Sequence, residues 1–191
     1  MRNTTELPFC PRCGAKTFNS GPFKPWFCKS CDFKIYPNVA AAAGVFIFNT
    51  NNEVLFNKRA HDPGIGKLGL PGGFIDANET AEESVHREVK EEVGLEIAEL
   101  KYLCSCPNQY FYGGINYNTM DIFYTAKALT ETIEIDPNEV AAVYWRVPQA
   151  VSPEAMAFPI LPARFKRAAY DSRHLAGIDH GYRENLFPAK K

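Results

Sequence analysis

Glu88, Glu91 and Glu92 are the residues whose type and spacing first suggest chemistry. They fall in the segment Thr80 to Val93, TAEESVHREVKEEV, followed by Gly94. Thr80 and Glu83 have the spacing of a capping box, and Gly94 stands where a left-handed helix end is expected. The segment is therefore expected to be a helix from Thr80 to Val93. Its apolar residues Ala81, Val85, Val89 and Val93 form one stripe at about 100° per residue. With Val85 at zero, Glu92 falls at roughly −20°, Glu88 at roughly −60° and Glu91 near −120°. An ionised carboxylate aimed at a core seam is costly, by roughly several kcal/mol, unless it is paired or binds a cation. Oxygen-only ligands of this kind suit Mg2+ or Mn2+, which share their sites with water and substrate phosphates. Glu82, Glu83 and Glu96 read as ordinary solvated acids.

A second set of ligands precedes it. Cys10-Pro11-Arg12-Cys13 and Cys28-Lys29-Ser30-Cys31 are two matched CxxC units. Four thiolates so arranged can close a tetrahedral zinc site. The loop between them is too short for a core of its own, so metal binding would supply the folding energy. A redox role needs one such pair rather than two. Residues 1–37 are thus read as a zinc-binding module. Lys16, Lys24, Lys29 and Lys34 are scattered along it, which permits contact with nucleic acid but does not favour it. A structural or dimer-forming module is the preferred reading.

Two metal-binding sets of different chemistry need a scaffold to separate them. The chain has 191 residues, 46% of them hydrophobic, and a formal net charge of −1. That fits one domain plus a small module and gives no general pull towards nucleic acid or anionic membrane. No apolar run is long enough to span a membrane and no signal-peptide pattern opens the sequence, so a cytoplasmic protein is expected. Residues 38–150 should form the main domain. Val39 to Phe48 reads as a strand covered on both faces, and Glu53 to Arg59 as an alternating one. The glycine-rich loop after Arg59 (HDPGIGKLGLPGG) can face substrate phosphates, with Arg59 at its lip. Leu95 to Cys104 is expected as a strand pair or one bent strand, Asn118 to Ala128 as a buried strand and Tyr144 to Val147 as the last. Ser105 to Tyr117 reads as a loop on which Tyr110, Phe111 and Tyr112 can stack a base, or pack a hairpin or dimer. Cys104 and Cys106 read as small buried residues. Residues 151–191 should hold a helix, roughly 161–170, and a polar tail.

The acidic helix resembles the Nudix hydrolase signature. Gly73, Glu79, Arg87-Glu88-Val89, Glu91-Glu92 and Gly94-Leu95 match it at every specified position. The resemblance implies an α/β class fold, an α/β/α sandwich with a mixed sheet, and hydrolysis of a nucleoside diphosphate linked to another group. It implies metal ligation by Glu88, Glu91 and Glu92 with the Gly73 carbonyl, and bracing of these acids by Arg87 and Glu79. In such enzymes an acid on the loop before the last strand supplies a further ligand or the base, and Glu139 stands at that place. The general base is then one of Glu88, Glu92 and Glu139. A homodimer is expected from the family.

The ribbon followed by a Nudix domain resembles the NADH pyrophosphatase group in particular. That group carries a Ser-Gln-Pro-Trp array, where this chain has Ser105-Cys106-Pro107-Asn108. With Gln and Trp replaced, ADP-ribose or a similar nucleotide sugar is the first expectation for substrate. NADH, NAD and nucleotide-capped RNA 5′ ends are the alternatives. A ligand-sensing domain without catalysis is the reading from another class, and the intact acids oppose it.

Overall fold

The computed structural model describes residues 9–16, 18–21, 24–36, 38–113 and 115–158. At its start, β1 (Phe18–Gly21), β2 (Lys24–Cys28) and β3 (Lys34–Ile35) form a small antiparallel sheet. The two cysteine units flank it as matched knuckles. In one, the Gly14 amide donates to the Cys10 carbonyl; in the other, the Asp32 amide donates to that of Cys28. Gly14 and Asp32 both take positive φ, 72° and 56°, so each knuckle turns sharply after its second cysteine. The turns bring the four sulfurs within 4.8 Å of one another, with Cys10–Cys31 and Cys13–Cys28 both at 3.7 Å. Sulfurs tetrahedrally placed about 2.3 Å from a zinc ion stand roughly 3.8 Å apart, so the cluster has the dimensions of a zinc site.

The second sheet is the scaffold of the protein. Its strands run in the order β10 (Val140–Arg146), β5 (Val54–Arg59), β4 (Ala40–Phe48), β9 (Ile115–Ala128) and β8 (Ile97–Tyr112). β4 and β9 are parallel and the other pairs antiparallel, so the sheet is mixed as expected. The helix α1 (Ala81–Val93) lies on one face. Thr80 caps it, Glu83 completes the capping box, and Gly94 ends it at φ 68°. Val85, Val89 and Val93 pack against Val45, Ile47, Leu55 and Tyr124. On the opposite face Phe46, Phe56, Phe123, Cys104 and Cys106 form a second core, closed by Met156. The helix expected over 161–170 and the polar tail lie outside the described residues.

Three expectations change. Glu53 to Arg59 does not alternate: Val54, Leu55, Phe56 and Asn57 are all buried, because β5 has a packed core on each face. Ser105 to Tyr117 is not a loop. β8 continues through it and pairs with β9 as far as Tyr112↔Ile115, so the aromatics sit on strands. The last strand starts at Val140, directly after Glu139, rather than at Tyr144.

The feature that positions the site is a split in the sheet. β4 and β5 pair only at Phe48↔Val54 and then diverge. The short strands β6 (Leu68–Gly69) and β7 (Gly72–Phe74) fill the gap, β6 against β5 and β7 against β4. Purified chain should carry stoichiometric zinc by metal analysis. Cys28→Ser should lose it and release the knuckle amide signals that the bound metal protects in hydrogen exchange.

Candidate active site

The gap is lined by glycines because side chains will not fit. A Cβ on Gly72, whose φ is 141°, would collide with the Ala43 carbonyl. One on Gly73 would stand 2.5 Å from Glu88 Oε1, and one on Gly69 would stand 2.7 Å from Asn57 Oδ1. The thin backbone lets carboxylates rooted on α1 reach a cavity of about 360 Å³. That volume suits a small-molecule ligand.

Glu88, Glu92 and Glu139 present carboxylate oxygens within 4.8 Å of one another in this cavity. Glu88 and Glu92 come from α1, one turn apart, and Glu139 from the loop before β10. That loop is tied down where the Ala60 amide donates to the Glu139 carbonyl, 2.9 Å. Glu92 is buried at 6% exposure, as its place on the apolar stripe predicts. The Asn57 amide donates to its Oε2 at 2.9 Å. Burial lifts the Glu92 carboxyl from 4.5 to about 8, with repulsion from Glu88 and Glu139 acting in the same direction. Burial likewise raises Glu88.

Arg87 holds the outer side of the cluster. It donates to Glu79 at 2.7 and 3.1 Å, to Glu88 at 2.8 Å, to Glu91 at 3.1 Å and to the Phe74 carbonyl at 3.2 Å. Hydrogen bonding from Arg87 brings the Glu79 carboxyl down to about 2. These contacts fit a bracing role for Arg87 and Glu79. Glu91 lines the cavity but is exposed and held by Arg87, outside the tight cluster of the other three.

The remaining candidates divide. Arg59 lines the cavity, donates to the Pro63 carbonyl at 2.7 Å and lies 5.4 Å from the Phe158 ring centroid. Tyr110 lines it too, edge-on to Phe74 at 5.4 Å and beside Phe158 at 5.9 Å. Tyr112 and Phe111 are exposed on the hairpin and do not line the cavity. His61 is exposed, as expected, yet stands on the cavity lining.

Several residues around this cavity were not foreseen. Asn57 and Asp121, polar residues inside apolar strands, carried a sequence signal, since each needs a partner there. Asn108 was met only as a substituted position of the array at Ser105 to Asn108, and Phe158 and Thr119 carried no signal.

The NUDIX domain family matches residues 39–167. The chain belongs to the Nudix hydrolase family. Among curated proteins it is 28% identical over 142 residues to the NAD-capped RNA hydrolase NudC of Mannheimia succiniciproducens, covering 72% of this chain and 51% of the relative. It is 34% identical over 100 residues to that of Haemophilus influenzae, covering 52% and 38%. The chain thus spans about half or less of the length of these curated relatives. Among solved structures, a NUDIX hydrolase from Nitrosomonas europaea superposes with a TM-score of 0.66 at 27% identity, covering 87% of this chain and 92% of its own. Among the described residues no helix is long and apolar enough to cross a membrane.

Nudix enzymes need a divalent metal, and the donor set here fits one. Three clustered carboxylates facing one another are mutually repulsive until a cation lies between them. Hard oxygen donors select Mg2+ or Mn2+ over softer ions. In metal-free protein the folded state holds the Glu92 proton to about pH 8, whereas the unfolded chain releases it near 4.5. The Glu92 contribution to metal-free stability should therefore be fully present below pH 4.5 and fall away as pH rises towards 8. In thermal melts at pH 8, Glu92→Gln should raise the metal-free midpoint by several degrees. Added Mg2+ should raise the wild-type midpoint and leave that of the variant nearly unchanged.

Proposed function

We propose that this protein hydrolyses the pyrophosphate bond of a nucleoside diphosphate linked to a second group, with Mg2+ or Mn2+ bound by Glu88, Glu91 and Glu92. ADP-ribose and similar nucleotide sugars are the first substrates to consider. The observation that carries the reading is that the cavity lined by the clustered carboxylates of Glu88, Glu92 and Glu139 is also lined by Phe74, Tyr110 and Phe158. A substrate that combines phosphates with an aromatic base matches both kinds of lining.

The bound metal supplies charge neutralisation at the pyrophosphate oxygens. The chain's own groups do the rest. The Gly73 carbonyl and the α1 glutamates define where the diphosphate sits. Arg87 holds Glu88 and Glu91 in place, which fixes geometry before substrate arrives. Arg59 offers its guanidinium to a phosphate on the cavity side. A water molecule attacks phosphorus, and the bond from that phosphorus to the bridging oxygen breaks. The proton of the water passes to a carboxylate oxygen, and the bridging oxygen leaves on the other phosphate. Glu139 suits the proton-accepting role better than Glu92. Glu139 is exposed, whereas Glu92 is buried and accepts a hydrogen bond from Asn57.

A second reading is an NAD-type dinucleotide, free or at the 5′ end of an RNA. It is supported by the likeness to NAD-capped RNA hydrolases and by the four-cysteine module ahead of the domain. Against it stand Cys106 and Asn108 in place of the Gln and Trp of that group's array. Product identification in oxygen-18 water decides between them, with ADP-ribose, NADH, NAD and NAD-capped RNA compared in Mg2+. AMP or a 5′-monophosphate should form with one labelled oxygen. Glu139→Gln should lower kcat by roughly 100-fold with a small change in KM, the range expected for a general base. Absence of turnover on all four substrates would refute the hydrolase reading for this class.

A further inference from the structure

Asp121 is the group at the cavity that the proposed chemistry does not use. On β9, Thr119, Asp121 and Phe123 alternate onto the face away from α1, and Asp121 and Thr119 line the cavity. Each carboxylate oxygen of Asp121 is already held from within. Asn108 Nδ2 donates to Oδ2 at 2.7 Å, and Thr119 Oγ1 donates to Oδ1 at 2.7 Å. Among the described residues no lysine or arginine pairs with it.

An ionised carboxylate accepts about four hydrogen bonds, so each oxygen keeps a direction open. Held in one orientation and without a cation, Asp121 accepts and never donates. It repels a phosphate or a second carboxylate, and it rewards a neutral donor. Beside it Phe74, Tyr110 and Phe158 form an aromatic wall against which a flat ring can lie. A ring on that wall places an exocyclic group within reach of the sheet face that carries Asp121.

We propose that Asp121, clamped by Asn108 and Thr119, is the specificity-determining residue that selects a substrate ring bearing an exocyclic –NH2 over the same ring bearing an oxygen. Two ring systems supply that chemistry, adenine through its amino group and nicotinamide through its carboxamide. The inference deepens the nucleotide reading above and rests on it. A ribose diol is the competing donor, but it does not use the aromatic wall.

The test is equilibrium binding by calorimetry to the full zinc- and Mg2+-loaded chain, so that no turnover is required. One arm compares α,β-methylene-ADP with its hypoxanthine counterpart. The second compares nicotinamide mononucleotide with nicotinic acid mononucleotide. A third compares α,β-methylene-ADP with its 2′-deoxy form. Wild type should prefer the amino member of the first or second pair by about tenfold or more, because a buried polar group left facing an acceptor is penalised. The arm that shows it identifies the ring. Asp121→Asn can donate as well as accept and should flatten or reverse that preference. Asn108→Ala, a milder change on an edge strand, should weaken it several-fold by releasing one oxygen.

Wild-type preference under twofold in both ring arms, or a preference unmoved in both variants, overturns the assignment. So does discrimination confined to the 2′-hydroxyl arm, or failure of every probe to bind. Base selection without hydrolysis in the labelled-water assay would leave Asp121 standing and sink the hydrolase reading. Hydrolysis with an unmoved ratio would do the opposite.

Discussion

Everything near the cavity answers to one constraint, the crowding of the carboxylates of Glu88, Glu92 and Glu139 in one cavity. Charged carboxylates in that arrangement repel one another, and removing Glu92 from water sharpens the repulsion. The surrounding structure is arranged to tolerate this. Asn57 holds Glu92, and Arg87 and Glu79 hold the outer side. Glycines line the sheet gap because a Cβ would meet Glu88 at Gly73, Asn57 at Gly69 and the Ala43 carbonyl at Gly72. The capping box and the valine stripe fix the rotation of α1, and with it the direction of each acid.

Much of this was readable in the chain, for a physical reason. A helix obeys one period, so the angle at which Glu92 meets the core follows from its spacing to Val85 and Val89. The two CxxC units were equally readable, since each knuckle closes within a few residues. Strand positions near the cavity were harder. Thr119, Asp121 and Asn108 meet only through the pairing of β8 with β9, and nothing local to either strand announces that register. The same pairing decided between the two readings of the aromatic segment, in favour of a hairpin. Tyr110 and Tyr112 share one face of β8, but only Tyr110 lines the cavity, and Tyr112, two residues nearer the hairpin turn, is exposed.

The Nudix assignment and the substrate question thus rest on different kinds of evidence. The family follows from a contiguous segment of helix and glycine turn, supported by a match that covers most of the chain. Substrate choice depends on residues brought together from β7, β8, β9 and the segment ending at Phe158. These are far apart in sequence, so short motifs say little about them.

The position of β8 at the edge of the sheet has an evolutionary corollary. Among the described residues β8 pairs with β9 alone, and its side chains reach the cavity from the border opposite β10 and Glu139. Substitutions on that hairpin can re-address the enzyme to a new ring while the hydrolytic helix is inherited intact. A lineage could then diversify its substrates by drift along one border strand, with the reaction itself under separate and stricter selection.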